Sequence, residues 1–176
     1  QRGNWEYKYS RFIYKFNSKY ILVIGDDDRI NTKNFNKIFK HLNSDFSGIT
    51  ISFTNFKETK DLSVKNNLSV NQIKPFNLST DLNKIGFTSC QIINVKYLSK
   101  ILKKEKKYLL KTKFPQNFLI LKLISKYKNW KISDLNCIYN RLGKFDDKWI
   151  NENLITRLKS EYLGYLIPLK RYFPYL

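Results

Sequence analysis

The sequence predicts an α/β fold: a mixed sheet flanked by helices. Two observations carry this. Tyr20-Ile21-Leu22-Val23-Ile24 is a continuous apolar run closed by Gly25, as a central strand buried on both faces requires. Soon after it, Phe35, Ile38, Phe39 and Leu42 fall at helical spacing. The opening unit is therefore strand, acidic loop, helix. With 176 residues, 42% hydrophobic and 16% aromatic, the chain has material for one sizeable core and is not a disordered sequence.

The remaining elements follow in order. Asn31 or Thr32 suits the cap of the first helix. Gly48 to Phe53 alternates Ile49, Ile51 and Phe53 with smaller polar residues, as a strand with one solvated face does, and extends the same sheet. From Thr54 to Lys84 the periodicity weakens, Asn and Ser are frequent and Pro75 interrupts, which predicts an irregular excursion longer than ordinary connections. Ile85 to Val95 is apolar again, and Val95, Leu98, Ile101 and Leu102 mark a helix. That helix ends in Lys103-Lys104-Glu105-Lys106-Lys107, read as a solvated end.

Pro115 suits a helix first turn, ahead of a face made by Ile120, Leu123, Ile124 and Tyr127 and broadened by Phe118 and Leu121. Trp130 to Ser133 and Cys137 to Arg141 read as two short strands. Trp149 to Leu166 has helical spacing at Ile150, Leu154, Leu158 and Tyr162. Residues 1–146 form the main domain, and 147–176 are a C-terminal amphipathic extension that turns aromatic and basic. Repeats and low-complexity segments are lacking.

A net charge of +19 points toward nucleic acid or an anionic membrane surface. Only six of the 33 basic residues are Arg, the residue whose planar fork suits phosphate and base recognition. The charge is therefore read as a field that favours anionic lipid over nucleic acid. Tyr162, Leu163, Tyr165, Leu166, Ile167 and Leu169 beside Lys170 and Arg171 would suit a segment resting on a membrane face, or equally a packed terminal helix. The roughly 18 to 20 consecutive apolar residues of a spanning helix do not occur. The chain opens on Gln1 with no leader-like segment. Cys90 and Cys137 lack metal-ligand spacing and read as buried thiols of a reducing cytoplasm, and His41 as a surface residue.

Chemistry concentrates at Asp26-Asp27-Asp28. Three adjacent carboxylates repel one another, so burying them at a strand end makes sense chiefly around a cation. Oxygen ligands favour Mg²⁺ or Mn²⁺, ions that keep waters and take further ligands from substrate phosphates. The triplet thus implies a diphosphate-bearing substrate, placed where open α/β sheets bind ligands. The competing reading is an acidic turn before a helix. Against it, the whole chain has 14 acidic residues and three of them are adjacent here.

Lys19-Tyr-Ile-Leu-Val-Ile-Gly-Asp-Asp-Asp-Arg-Ile30 resembles the strand and DxD-type motif of family-two glycosyltransferases, which have the Rossmann-related GT-A fold. Gly86-Phe87-Thr88-Ser89, with Ile92-Ile93 and the helix from Val95, resembles that family's acceptor-side segment. Phe114-Pro115-Gln116 resembles a helix start of bacterial surface-polysaccharide transferases. The resemblance implies that Asp28 contacts Mn²⁺ or Mg²⁺ and that Asp26 joins it at the ribose or donor sugar, with Asp27 also on the donor. It further implies an inverting transfer from a nucleotide-sugar to a saccharide or lipid-linked acceptor, at the inner face of the membrane.

Two departures matter. Where many relatives carry the catalytic base, this chain has Gln116 and Asn117, which cannot abstract a proton. Asp81 is the substitute expected from its place ahead of Gly86, with Glu105 and Asp134 behind it. The resemblance spans 19–141 and lacks the preceding nucleotide-binding unit, so the chain reads as the second half of a catalytic domain, with Tyr9 to Phe16 and Arg11 as the last piece of the first. Of the rivals, a haloacid-dehalogenase-type phosphatase needs DxDxT, and Ile30 stands at the Thr position. A basic nucleic-acid-binding module accounts for the charge and leaves the triplet unexplained.

Overall fold

The sheet is built around two long strands, β3 (Gly48–Phe56) and β6 (Lys131–Arg141), which pair in parallel from Ile49 beside Lys131 to Phe56 beside Arg141. The computed structural model describes residues 17–56, 73–109, 115–141, 155 and 166–175. The helix expected over 149–166 lies outside them, apart from Ile155 and Leu166, as does Tyr9 to Phe16. β5 (Gln91–Asn94) pairs antiparallel with β3, and β1 (Tyr20–Leu22) antiparallel with β5. On its other side β6 receives two short antiparallel strands, β2 (Arg29–Ile30) near Ile138 and β4 (Ile73–Pro75) near Ile132. The order is β1-β5-β3-β6-β2, a mixed sheet as expected.

One expectation for strands is corrected. The segments 130–133 and 137–141 belong to one strand, because β6 takes up its polar interruption as bulges; its register against β3 steps between Thr50 and Ser52 and again before Phe53. Ser133 serves the bulged backbone: its hydroxyl accepts from Leu135 N at 3.2 Å, and its carbonyl accepts from Ser52 Oγ at 3.2 Å. Among the described residues β1 pairs on one side only. It ends at Leu22, pairs with β5 and is half-buried. Its two faces are apolar for the predicted reason, since Ile21 and Val23 pack on one core and Tyr20 and Leu22 on the other.

Each face of the sheet carries a helical layer. Helix α1 (Thr32–Phe39) covers one, with Ile38 and Leu42 against Ile49, Ile51, Ile92 and Ile138. Asn31 is its cap, accepting from Asn34 N at 3.2 Å. Phe39, expected inside, is 64% exposed; the stripe narrows to Ile38 and Leu42 because Asn34, fully buried, faces β6 and donates to Asn136 O at 2.8 Å. After α2 (Leu78–Asp81) and two 3-10 turns (Leu82–Gly86 and Thr88–Cys90), helices α3 (Val95–Leu109), α4 (Pro115–Tyr127) and α5 (Ile167–Tyr172) cover the other face. There Ile93, Leu98, Ile101, Phe118, Leu119 and Trp130 form the larger core. Adjacent Ile92 and Ile93 serve opposite cores, the period-two alternation of a strand covered on both sides.

The stretch expected to be irregular is ordered at both ends: β3 runs on to Phe56, and β4, α2 and the first 3-10 turn occupy 73–86. Residues 57–72 lie outside the described part. The basic end of α3 is not wholly solvated, since Glu105 is 7% exposed and ion-paired with Lys122 of α4. Lys122 Nζ in turn lies 4.8 Å from the Tyr172 ring centre, tying α5 to the pair. Both cysteines are buried and His41 is exposed, as the sequence suggests. Among the described residues no helix is long and apolar enough to cross a membrane.

Candidate functional site

The acidic triplet leaves the end of β1 in a tight turn closed by Asp28 N donating to Gly25 O at 3.2 Å. Pairing with β5 determines what stands opposite. The antiparallel register runs from Tyr20 beside Asn94 to Leu22 beside Ile92, and carried onward it brings Gly25 opposite Ser89. The Ser89 hydroxyl occupies that place. It accepts from Gly25 N at 2.9 Å and donates to Oδ2 of Asp28, so one buried side chain holds both ends of the turn. A carboxylate acceptor makes this a charge-assisted bond, stronger than an ordinary neutral one.

The three acids are not equivalent. Asp26 and Asp27 are exposed and Asp28 is half-buried. The expectation that all three acids are buried is therefore corrected: Asp26 and Asp27 are open to solvent, and only Asp28 is drawn into the protein. Its charge is felt inside. The Cys90 thiol is pushed above its usual range first by burial, then by the negative charge of Asp28 and by Cys137. Burial also raises Cys137, to about 12, with Lys37 opposing. Both are inert thiols rather than nucleophiles or metal ligands.

Gly25 leaves little room for a side chain. A Cβ there would lie 3.0 Å from Asp28 Oδ2 and 3.1 Å from Asp27 Oδ1. Below the turn, the Phe87 ring packs on Phe53 with centres 4.6 Å apart, bracing the loop that carries Ser89.

Among the described residues no three His, Cys, Asp or Glu side chains converge as a metal cage. The donors fit a less enclosed arrangement, in which Asp26 and Asp28 would supply carboxylate oxygens to Mg²⁺ or Mn²⁺ and the remaining positions go to water and substrate phosphates. Such an ion needs few protein ligands.

The expected bases are each engaged in bonds of their own. Asp81 is 2% exposed; its Oδ2 accepts from Asn77 N at 3.0 Å and Lys84 Nζ lies 3.3 Å from Oδ1. Glu105 is held by Lys122. Asp134 is exposed on β6 and meets Lys84 at 3.1 Å and Lys74 at 3.4 Å. The Lys84 hydrogen bond, outweighing partial burial, holds its carboxyl below the usual range, which weakens it as a base. Gln116 and Asn117 are buried in the first turn of α4, and both amide atoms of Asn117 lack a hydrogen-bond partner among the described residues.

Ser89 was visible in the sequence only as part of Gly86-Phe87-Thr88-Ser89, with no role. A serine 61 residues from its partner acid becomes informative only when the pairing of β1 with β5 is known.

No protein-family model matches the sequence, and no curated protein matches it. Among solved structures the chain is similar to S. aureus TarS 1-349 in complex with UDP, with a TM-score of 0.50 and 13% identity. The match covers 92% of this chain and 49% of that one, so the chain spans about half the length of the structure it resembles. The mixed sheet with helices on both faces is a GT-A-like fold.

Proposed function

We propose that the chain is part of a glycosyltransferase that moves a sugar, with inversion, from a nucleotide-sugar to a saccharide or lipid-linked acceptor in surface-polysaccharide synthesis. The observation that carries this is the clamp of Gly25 and Asp28 by Ser89, which holds one carboxylate of an acidic turn at a sheet end while two others stay open to ligand. The likeness to a UDP-bound structure supports the same reading at the level of fold.

Asp26 and Asp28 would hold Mn²⁺ or Mg²⁺, and Asp27 would face the donor. A divalent ion there supplies charge neutralisation for a departing nucleoside diphosphate. Ser89 contributes by fixing Asp28, so that the acid need not be ordered when ligand arrives. The acceptor proton is assigned to Asp81. To take it, Asp81 must part from Lys84, so Asp81→Asn separates two roles: lost turnover in a folded protein marks a base, and lost folding marks an anchor for the α2 turn.

The proposed setting is cytoplasmic, peripheral on an anionic membrane face. A groove of about 840 Å³ beside Leu82 is lined by Leu166, Ile167, Leu169 and Phe173 with Lys170 and Arg171, an apolar channel with cationic residues suited to a lipid-linked phosphate.

The test is release of nucleoside diphosphate from a panel of nucleotide-sugars, with and without Mn²⁺, in the presence of vesicles carrying anionic lipid. Metal-dependent release supports the reading. Absence of release together with tight, metal-independent and steeply salt-dependent binding to DNA or RNA would replace it with the nucleic-acid-binding alternative.

A further inference from the structure

We propose that Gln91 is a positioning residue for the acidic turn, acting from the buried face of the sheet through the loop that carries Ser89. The starting point is a directional chain of hydrogen bonds. The indole N–H of Trp130, which can only donate, gives to Thr50 Oγ1 at 2.9 Å. Thr50 then directs its single hydroxyl hydrogen to Gln91 Oε1 at 2.8 Å. That fixes which way the Gln91 amide points, and its NH₂ group donates to the carbonyls of Lys84 at 3.1 Å and Phe87 at 3.0 Å. The opposite flip would set Oε1 against two carbonyl oxygens. Trp130, Thr50 and Gln91 are each at most 2% exposed, so no water competes for these bonds.

The two carbonyls belong to the segment that carries Ser89. Lys84 lies in the first 3-10 turn, and the Phe87 carbonyl also accepts from Cys90 N at 3.2 Å, closing the second. Ser89 is the middle residue of that second turn. Gln91 therefore ties the loop to β3 through Thr50, and Ser89 passes that fixed position to Gly25 and Asp28. Replacing Gln91 removes both donors at once and frees the loop, although Gln91 touches no part of the acidic turn.

Only the ligand arm of the test rests on the proposed diphosphate site. The primary readout is hydrogen exchange at the Gly25 amide, followed by NMR in the wild type, Ser89→Ala, Gln91→Leu, Thr50→Val and a core control, Ile101→Val. Gln91→Leu should speed Gly25 exchange about tenfold, the same rise expected for Ser89→Ala and the size that follows when one hydrogen bond of ordinary strength is lost. Thr50→Val, which keeps the side-chain shape and removes the hydroxyl that orients Gln91, should give a smaller rise at the same amide, and Ile101→Val none. In calorimetry, Gln91→Leu should weaken Mn²⁺-dependent UDP binding several-fold. Gly25 exchange at the wild-type rate in both Gln91→Leu and Thr50→Val overturns the proposal. Absence of UDP binding by the wild type counts against the diphosphate site, while the exchange result still decides the role of Gln91.

Discussion

Gly48 and Trp130 share one space: a Cβ on Gly48 would stand 2.3 Å from Cζ3 and 2.4 Å from Cη2 of the Trp130 ring, and 2.8 Å from the Ile92 carbonyl oxygen. The ring is 1% exposed and its indole N–H is committed to Thr50, so it cannot swing aside cheaply. Gly48→Ala should therefore destabilise the protein by about 2 kcal/mol or more, as overpacked cores do. Urea unfolding measures this, and a midpoint at or above wild type would contradict the packing described.

Gly25 makes a different kind of contact, with the site rather than the core. Gly25→Ala presses on Asp28 Oδ2 and Asp27 Oδ1 at about the limit of contact, and Asp28 is already held by Ser89. The acidic turn should shift while the core stays intact. The expected result is weaker Mn²⁺-dependent UDP binding with a melting temperature close to wild type; unchanged affinity would show that the turn is not part of a diphosphate site.

Glu105 and Lys122 join α3 to α4, and the pair is largely buried. Removing one partner strands the other charge, so Glu105→Ala should cost about 2 to 3 kcal/mol, somewhat below the usual range for buried pairs because Lys122 can reach solvent. Replacing both by leucine should recover much of that loss. Denaturant curves for the single and double variants check the pair, and equal losses in both would point to packing rather than charge.

Asp134 provides a pH-dependent signature. Its folded carboxyl titrates below the usual value because Lys84 donates to it. A lowered folded value means the pair's contribution is present above the unfolded value and is lost as pH falls through the folded one, on the acid side of about pH 4. NMR titration of Asp134 should place its midpoint below that of an ordinary aspartate, and Lys84→Ala should move it back up. No movement would remove Lys84 as the cause.

The apolar run before Gly25 and the helical spacings of 95–102 and 118–127 were legible because burial writes its period into the sequence: Leu98, Ile101, Leu102, Phe118 and Leu123 are all fully or nearly fully buried. The antiparallel pairing of β1 with β5 was not legible, since an apolar run shows that both faces of a strand are covered and does not name the strand beside it. The bulged β6 read as two strands because Asp134 and Asn136 look like a turn until β3 supplies the register. At the site, the triplet announced itself by charge density. Ser89, Gln91 and Thr50 did not, because a buried hydroxyl or amide is recognisable only by the distant residue it meets. Asp81 stood out in the sequence only as an acid ahead of Gly86; its burial and its bonds to Asn77 and Lys84 became visible only in the folded α2 turn.

The measurement closest to the central claim is calorimetric titration of UDP into the wild type and Asp28→Ala, each with and without Mn²⁺. The account predicts binding by the wild type that requires Mn²⁺, and a loss of at least about tenfold in Asp28→Ala, as expected when a charged ligand group is removed. Binding that is indifferent to Mn²⁺ and unchanged by Asp28→Ala would contradict it.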